Sequence, residues 1–139
     1  MKIIFIIAII FNLLQADYIR DDAKEIIVDT TTNLIWQDNA TTAAMTWSSS
    51  ISYCESLSLG SFSDWRLANI TELTSLVDFT LSSPSINSKF KNINTNHYWS
   101  STTKKSDTLS ALDINFIYGN HHSELKTASL YVRCVRAGQ

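Results

Sequence analysis

Apolar residues recur along this chain with two different spacings, and the switches between them predict where strands give way to helices. Ile70, Leu73, Leu76 and Val77 stand three and four residues apart and line one helical face. Asn69 precedes them as an N-cap, and Glu72 is placed to reach back to the cap's own N–H in a capping box, so a helix should begin at Asn69. Just before it, Trp65 and Leu67 alternate with Arg66, which predicts a short extended segment with its apolar groups inward. The stretch Ser63 to Leu73 is therefore a strand-to-helix corner. A second helical pattern runs through Trp47, Ile51, Cys54 and Leu57 behind Thr46 as N-cap, with Gly60 suited to the left-handed C′ position and Phe62 folding back onto the helix end.

Elsewhere the period is two. Leu112, Ile114, Phe116 and Tyr118 alternate with Asp113, Asn115 and Ile117, which predicts a strand with one core face. In Ser129 to Arg136, Leu130, Val132 and Cys134 point one way and Tyr131, Arg133 and Val135 the other. Ile26-Ile27-Val28 and Leu34-Ile35-Trp36 flank the turn-forming residues Asp29 to Asn33 and read as a hairpin. Tyr98 to Thr102 is an aromatic, Ser/Thr-rich strand. Gln37 to Ala44, Thr103 to Leu109 and Gly119 to Glu124 read as loops or turns. Pro84 breaks the chain between Leu81 and Asn87 and pushes Ser83 out of helical geometry, so a long irregular segment follows, anchored by Phe90 and Ile93.

The N-terminus has its own pattern. Lys2 precedes an apolar run from Ile3 to Leu14, shorter than the roughly 18 to 20 residues of a membrane-spanning helix, and Ala16 suits a cleavage site. Residues 1–16 are read as a signal peptide and residues 17–139 as one domain, secreted or periplasmic, with no membrane segment after cleavage; an uncleaved anchor is the rival reading. Cleavage would leave ten of the eleven Lys and Arg against thirteen Asp and Glu, a mildly acidic balance that argues against a nucleic-acid partner. The two cysteines, Cys54 and Cys134, favour one intrachain disulfide in an oxidising compartment, with free thiols or an intermolecular bridge as alternatives.

A series of ordered blocks adds a further reading: Leu34-Ile35-Trp36-Gln37; Thr46-Trp47 with the Cys54 helix; Asp64-Trp65-Arg66-Leu67 with Glu72-Leu73; Tyr98-Trp99-Ser100-Ser101-Thr102; and Tyr131-Val132-Arg133-Cys134-Val135-Arg136. Over nearly the whole of residues 17–139 the chain resembles the Lcl C-terminal domain family, a bacterial domain family. The resemblance implies an α+β, C-type-lectin-like fold: two helices flanking a short twisted mixed or antiparallel sheet, with a long irregular loop region. It also implies the Cys54–Cys134 pairing of helix with last strand. Ala68 departs from the family's Trp-Arg-Leu-Pro pattern, and its greater freedom should loosen the corner without changing the fold.

The candidate chemistry is sparse. Arg66 and Arg133 are suited to anion binding, but stacking on aromatics and pairing with Asp64 or Asp113 inside the fold is the favoured reading. Trp36, Trp65 and Trp99 are read as packing rather than as a sugar platform. His121 and His122 should diverge, so a metal would need help from Asp113 or Glu124; no metal and no cofactor are expected. Glu-Pro-Asn and Gln-Pro-Asp loops are absent, which disfavours calcium-dependent sugar binding. Hydrolase, zinc-protease and phosphate-loop motifs are likewise absent from the sequence, so no catalytic residue is assigned and the protein is read as no enzyme. The resemblance implies an adhesin-like module that binds sulphated or other surface glycans and assembles as a homo-trimer. Sulphate needs cations, so Lys89, Lys91, Lys104, Lys105 and Lys126 are the candidate ligand-binding residues. The alternative is a periplasmic protein-interaction or structural component without a glycan ligand.

Overall fold

The computed structural model describes residues 17–40 and 43–138. The predicted signal peptide, and Thr41 and Thr42 of the predicted loop, lie outside the described residues. In chain order the elements are β1 (Tyr18–Asp21), β2 (Ile26–Asp29), β3 (Leu34–Gln37), α1 (Trp47–Ser56), β4 (Arg66–Leu67), α2 (Ile70–Thr74), β5 (His97–Thr103), β6 (Ser110–Asn115), β7 (Asn120–Leu125) and β8 (Cys134–Ala137). They build two antiparallel sheets where one was expected: five strands in the order β1-β2-β3-β8-β4, and three in the order β5-β6-β7.

The strands carry doublets of buried residues, and the packing explains them. Neighbours on one strand feed different cores. Ile27, Trp36 and Val135 join Leu73, Phe90, Tyr98, Ile114 and Phe116 on one side. Ile26, Ile35 and Cys134 join Cys54, Trp65, Leu67, Trp99 and Val132 on the other. Apolar cover on both faces removes the strict alternation that a half-exposed sheet would show.

The predicted hairpin forms as β2–β3, because Asp29 holds its turn. The buried Asp29 carboxylate accepts from the N–H groups of Thr31 (2.9 Å) and Thr32 (3.2 Å) and from the Thr32 hydroxyl (2.7 Å). Asn33 then takes the left-handed conformation at φ 57°. The same turn receives both ends of the described chain: Thr30 N–H donates to Asp17 O (3.0 Å) and Gly138 N–H to Asn33 O (2.7 Å). β1, paired along its length with β2, has no counterpart among the predicted strands.

The corner is built as expected at its start. Trp65 and Leu67 are buried, Arg66 is exposed, and Asn69 Oδ1 accepts from the Glu72 N–H at 2.8 Å. The Glu72 carboxylate does not return to the cap's backbone, however; it takes Arg66 (2.9 Å) and the Asn69 side-chain amide. α2 also stops at Thr74, and Leu76 and Val77 reach the core through tighter turns, donating to Leu73 O (3.2 Å) and Thr74 O (3.0 Å).

Four other boundaries move. α1 ends at Ser56, and Gly60, at φ 62°, serves the separate Leu59–Phe62 turn. β6 ends at Asn115, leaving Tyr118 70% exposed and outside the core. The predicted Gly119–Glu124 turn is mostly strand β7, and the true turn closes with Gly119 donating to Asn115 O at 2.8 Å. The last strand is regular only over Cys134–Ala137; Leu130 and Tyr131 make single bridges to Met45 and Tyr98.

The cysteines do pair. Cys54 on α1 and Cys134 on β8 form a disulfide with Cα atoms 5.5 Å apart, closing a sequence separation of 80 residues.

Candidate functional site

Of the five candidate lysines, the structure groups three. Lys104 donates to the Ser123 hydroxyl (3.1 Å) and Lys126 to the Thr103 hydroxyl (2.9 Å). Their backbones are drawn to one end of the three-stranded sheet by Lys104 N–H to Ser110 O (3.0 Å) and Lys126 N–H to Leu109 O (2.9 Å). Lys105, exposed, adjoins them. Lys126 also sits over the ring of the half-buried Trp47, 4.0 Å from its centroid, while the indole N–H is held by Ser100 O at 2.8 Å. An ammonium over an indole face leaves a mixed cationic and aromatic surface.

Asp107 is the opposing charge in that turn. Its carboxyl is held below the usual range chiefly by the Ser110 hydroxyl (2.6 Å), then by the Leu109 N–H (3.1 Å), with Lys104 and Lys126 adding least. Among the described residues, neither Lys104 nor Lys126 has a carboxylate oxygen within 4.0 Å.

Lys89 and Lys91 belong elsewhere, at the edge of β1. Lys91 pairs with Asp22 at 2.8 Å, and Lys89 donates to Tyr18 O and lies 3.7 Å from Asp17. Their charge is already answered by acids, so the grouping drawn from lysine count alone splits in two.

The histidines diverge as expected. His121 places Nε2 2.8 Å from the Thr74 hydroxyl, whereas His122 turns to the other face of β7, with Nδ1 3.7 Å from Asp113 and 3.6 Å from Glu124. There His97 Nδ1 meets Asp113 Oδ1 at 2.6 Å. Burial pushes the Asp113 carboxyl above its usual range, against the opposing pull of the His97 hydrogen bond.

The sequence profile of the Lcl C-terminal domain matches residues 25–136, most of the chain. This protein belongs to the Lcl C-terminal domain family. Comparison with curated proteins returns no match.

In this Lcl C-terminal domain, the aromatic and arginine blocks are architecture. Trp36, Trp65 and Trp99 are 0, 2 and 0% exposed, and the Trp99 N–H is spent on Met45 O at 2.9 Å. Only Trp47 among the four tryptophans reaches the surface.

Arg133 does lie inside the fold over aromatics, 5.0 Å from the Phe90 ring centroid, but its acidic partner is neither Asp64 nor Asp113. It pairs with the buried Asp38 at 3.0 Å and also donates to Gln37 O (2.5 Å) and Asn92 O (2.7 Å). Asp38 further accepts from Arg20 and from the N–H groups of Lys91 (2.9 Å) and Asn92 (3.2 Å). This network pins the irregular segment to β3 and β8. Asp64 is taken by Arg136 at 2.6 Å, and Arg66 pairs outside with Glu72.

Proposed function

We propose that this domain is a non-catalytic binding module, secreted or periplasmic, that recognises a sulphated or otherwise anionic surface glycan through Lys104, Lys105, Lys126 and Trp47. The observation that carries this reading is the pairing of the Lys104 and Lys126 amines with hydroxyls rather than carboxylates, beside an accessible indole. Such amines keep most of their charge for a ligand anion, and the indole offers an apolar face to a sugar ring. The disulfide supports export into an oxidising compartment, since such bonds persist there. Two short helices, a helix-to-last-strand disulfide and a long irregular segment support a C-type-lectin-like architecture. Assembly as a homo-trimer would present three such edges and raise avidity without any new contact.

Heparin affinity chromatography tests the reading. The protein should be retained at low salt and eluted by salt, as screened surface charge requires. Lys104→Glu with Lys126→Glu should remove retention, while Lys89→Glu with Lys91→Glu should leave most of it. Flow-through of the unmodified protein at low salt would overturn the proposal.

One observation favours a protein ligand instead. A cleft of about 370 Å³ is lined by Tyr18, Leu76, Val77 and Phe79, and Phe79 is 76% exposed. Failure on heparin together with a partner lost on Phe79→Ser would support that second reading.

A further inference from the structure

Asp113 is fully buried, yet its hydrogen bonding is incomplete. Oδ1 is matched by His97, but Oδ2 has no partner. Buried carboxylate oxygens are expensive to leave unmatched, so an unmatched one points to a missing cation or donor. The sheet register places imidazoles on both sides of it. Asp113 stands opposite Trp99 on β5 and opposite His122 on β7. His97 lies two positions from Trp99 and so shares its face, as does Glu124 with His122. Three strands thus bring their donors to one point.

The donor atoms of His97, Asp113 and His122 all lie within 4.8 Å of one another. His122 Nδ1 is 3.7 Å from the unmatched Oδ2 and 3.6 Å from Glu124 Oε1, both too long for hydrogen bonds. A tetrahedral ion with bonds of about 2.0 to 2.1 Å sets its donors about 3.3 Å apart. The observed separations, 2.6 Å for His97 to Oδ1 and 3.7 Å for His122 to Oδ2, bracket that value. Small side-chain rotations close the difference.

We propose that His97, Asp113 and His122 bind a divalent metal ion of the zinc class, with Glu124 within reach as a fourth donor. Two imidazoles and a carboxylate suit zinc or its first-row neighbours rather than calcium or magnesium, which prefer all-oxygen sets. In the ion's absence, His97 and Asp113 hold each other through the Nδ1 hydrogen bond. On binding, the ring proton moves to Nε2 and Nδ1 turns to the metal. The ion would tie β5, β6 and β7 together at a single point. This proposal uses none of the lysines and stands or falls apart from the glycan reading.

The test is calorimetric titration of the chelator-stripped, full-length protein with zinc chloride, with cobalt(II) chloride followed by visible absorption. One ion per chain and the intense bands of tetrahedral cobalt are expected. His122→Ala should weaken zinc affinity about tenfold or more. His121→Ala, on the opposite face, should change it less than about twofold, since it removes no donor. Asp113 is buried and its replacement can unfold the domain, so the half-exposed His122 carries the experiment. No saturable binding, or equal affinity in His122→Ala, would overturn the site, as would a comparable loss in His121→Ala.

Discussion

Asp38→Ala is the substitution with the largest consequence the structure foresees outside the disulfide. It removes the carboxylate that faces two guanidinium groups, those of Arg133 and Arg20, whose side chains are 3% and 10% exposed. It also strips the acceptor from the Lys91 and Asn92 N–H groups. Breaking a buried ion pair from one side costs about 3 to 5 kcal/mol, because the remaining charge is left in a poorly solvating interior. That is a large part of the roughly 5 to 15 kcal/mol available to a domain. Arg133→Met should cost less, about 2 to 3 kcal/mol, since Asp38 keeps Arg20 and both backbone donors. The double variant should be milder than the sum of the two, because each single change strands the other's partner. Urea unfolding with the disulfide intact reads this directly. At an m-value of about 1 to 3 kcal/mol per molar, Asp38→Ala should lower the midpoint by about 1 to 5 M. A loss below about 1 kcal/mol, the scale of an exposed pair, or strict additivity in the double variant, would refute the claim that this network is buried and coupled.

Three other outcomes follow from the same structure. Replacing Cys54 and Cys134 together by alanine should cost about 4 to 5 kcal/mol by the chain-entropy argument for a long loop, visible as a lower urea midpoint that dithiothreitol no longer shifts. Gly119→Ala should cost about 1 to 3 kcal/mol, because Gly119 sits at φ 78° and a Cβ there collides with the Val77 side chain; thermal unfolding would register it. The Asp64 carboxyl is held below its usual range, first by the Arg136 hydrogen bond. Its contribution to stability is therefore present above the unfolded-state carboxylate pKa and lost as pH falls through the lower folded value, so Asp64→Asn should flatten the acid limb of a stability–pH profile. An unchanged acid limb would rule that out.

The hairpin, the corner and the cysteine pairing were legible because each is specified locally or by elimination. Asp29 to Asn33 fix one turn, Asn69 caps one helix, and two sulphurs have one intrachain choice. The two-sheet arrangement was not legible. Ile26-Ile27 and Tyr98-Trp99 bury adjacent residues in different cores, and such doublets carry no period. β7 was hidden because Asn120 to Leu125 is almost wholly polar, as suits a strand with one neighbour, and its identity comes from pairing with β6. α2 was read too long because a burial pattern records which side chains go inward, not whether helix or tighter turns deliver them. At the candidate site, the lysine positions could be read but their partners could not. Lys126 over Trp47 and Arg133 against Asp38 join residues far apart in sequence, and no local spacing announces them. His122 and Glu124 at an interval of two were the available hint of a shared strand face.

The meeting of Asp17 and Gly138 at the Thr30–Asn33 turn bears on how this fold tolerates rewiring. A short flexible linker between those residues would yield a circularly permuted protein, reopened at an exposed tip such as Ser106, with every strand pairing retained. For the same reason a reporter fused directly to Asp17 or to Gly138 would leave from a single pole, and immobilisation through either residue should orient the domain alike.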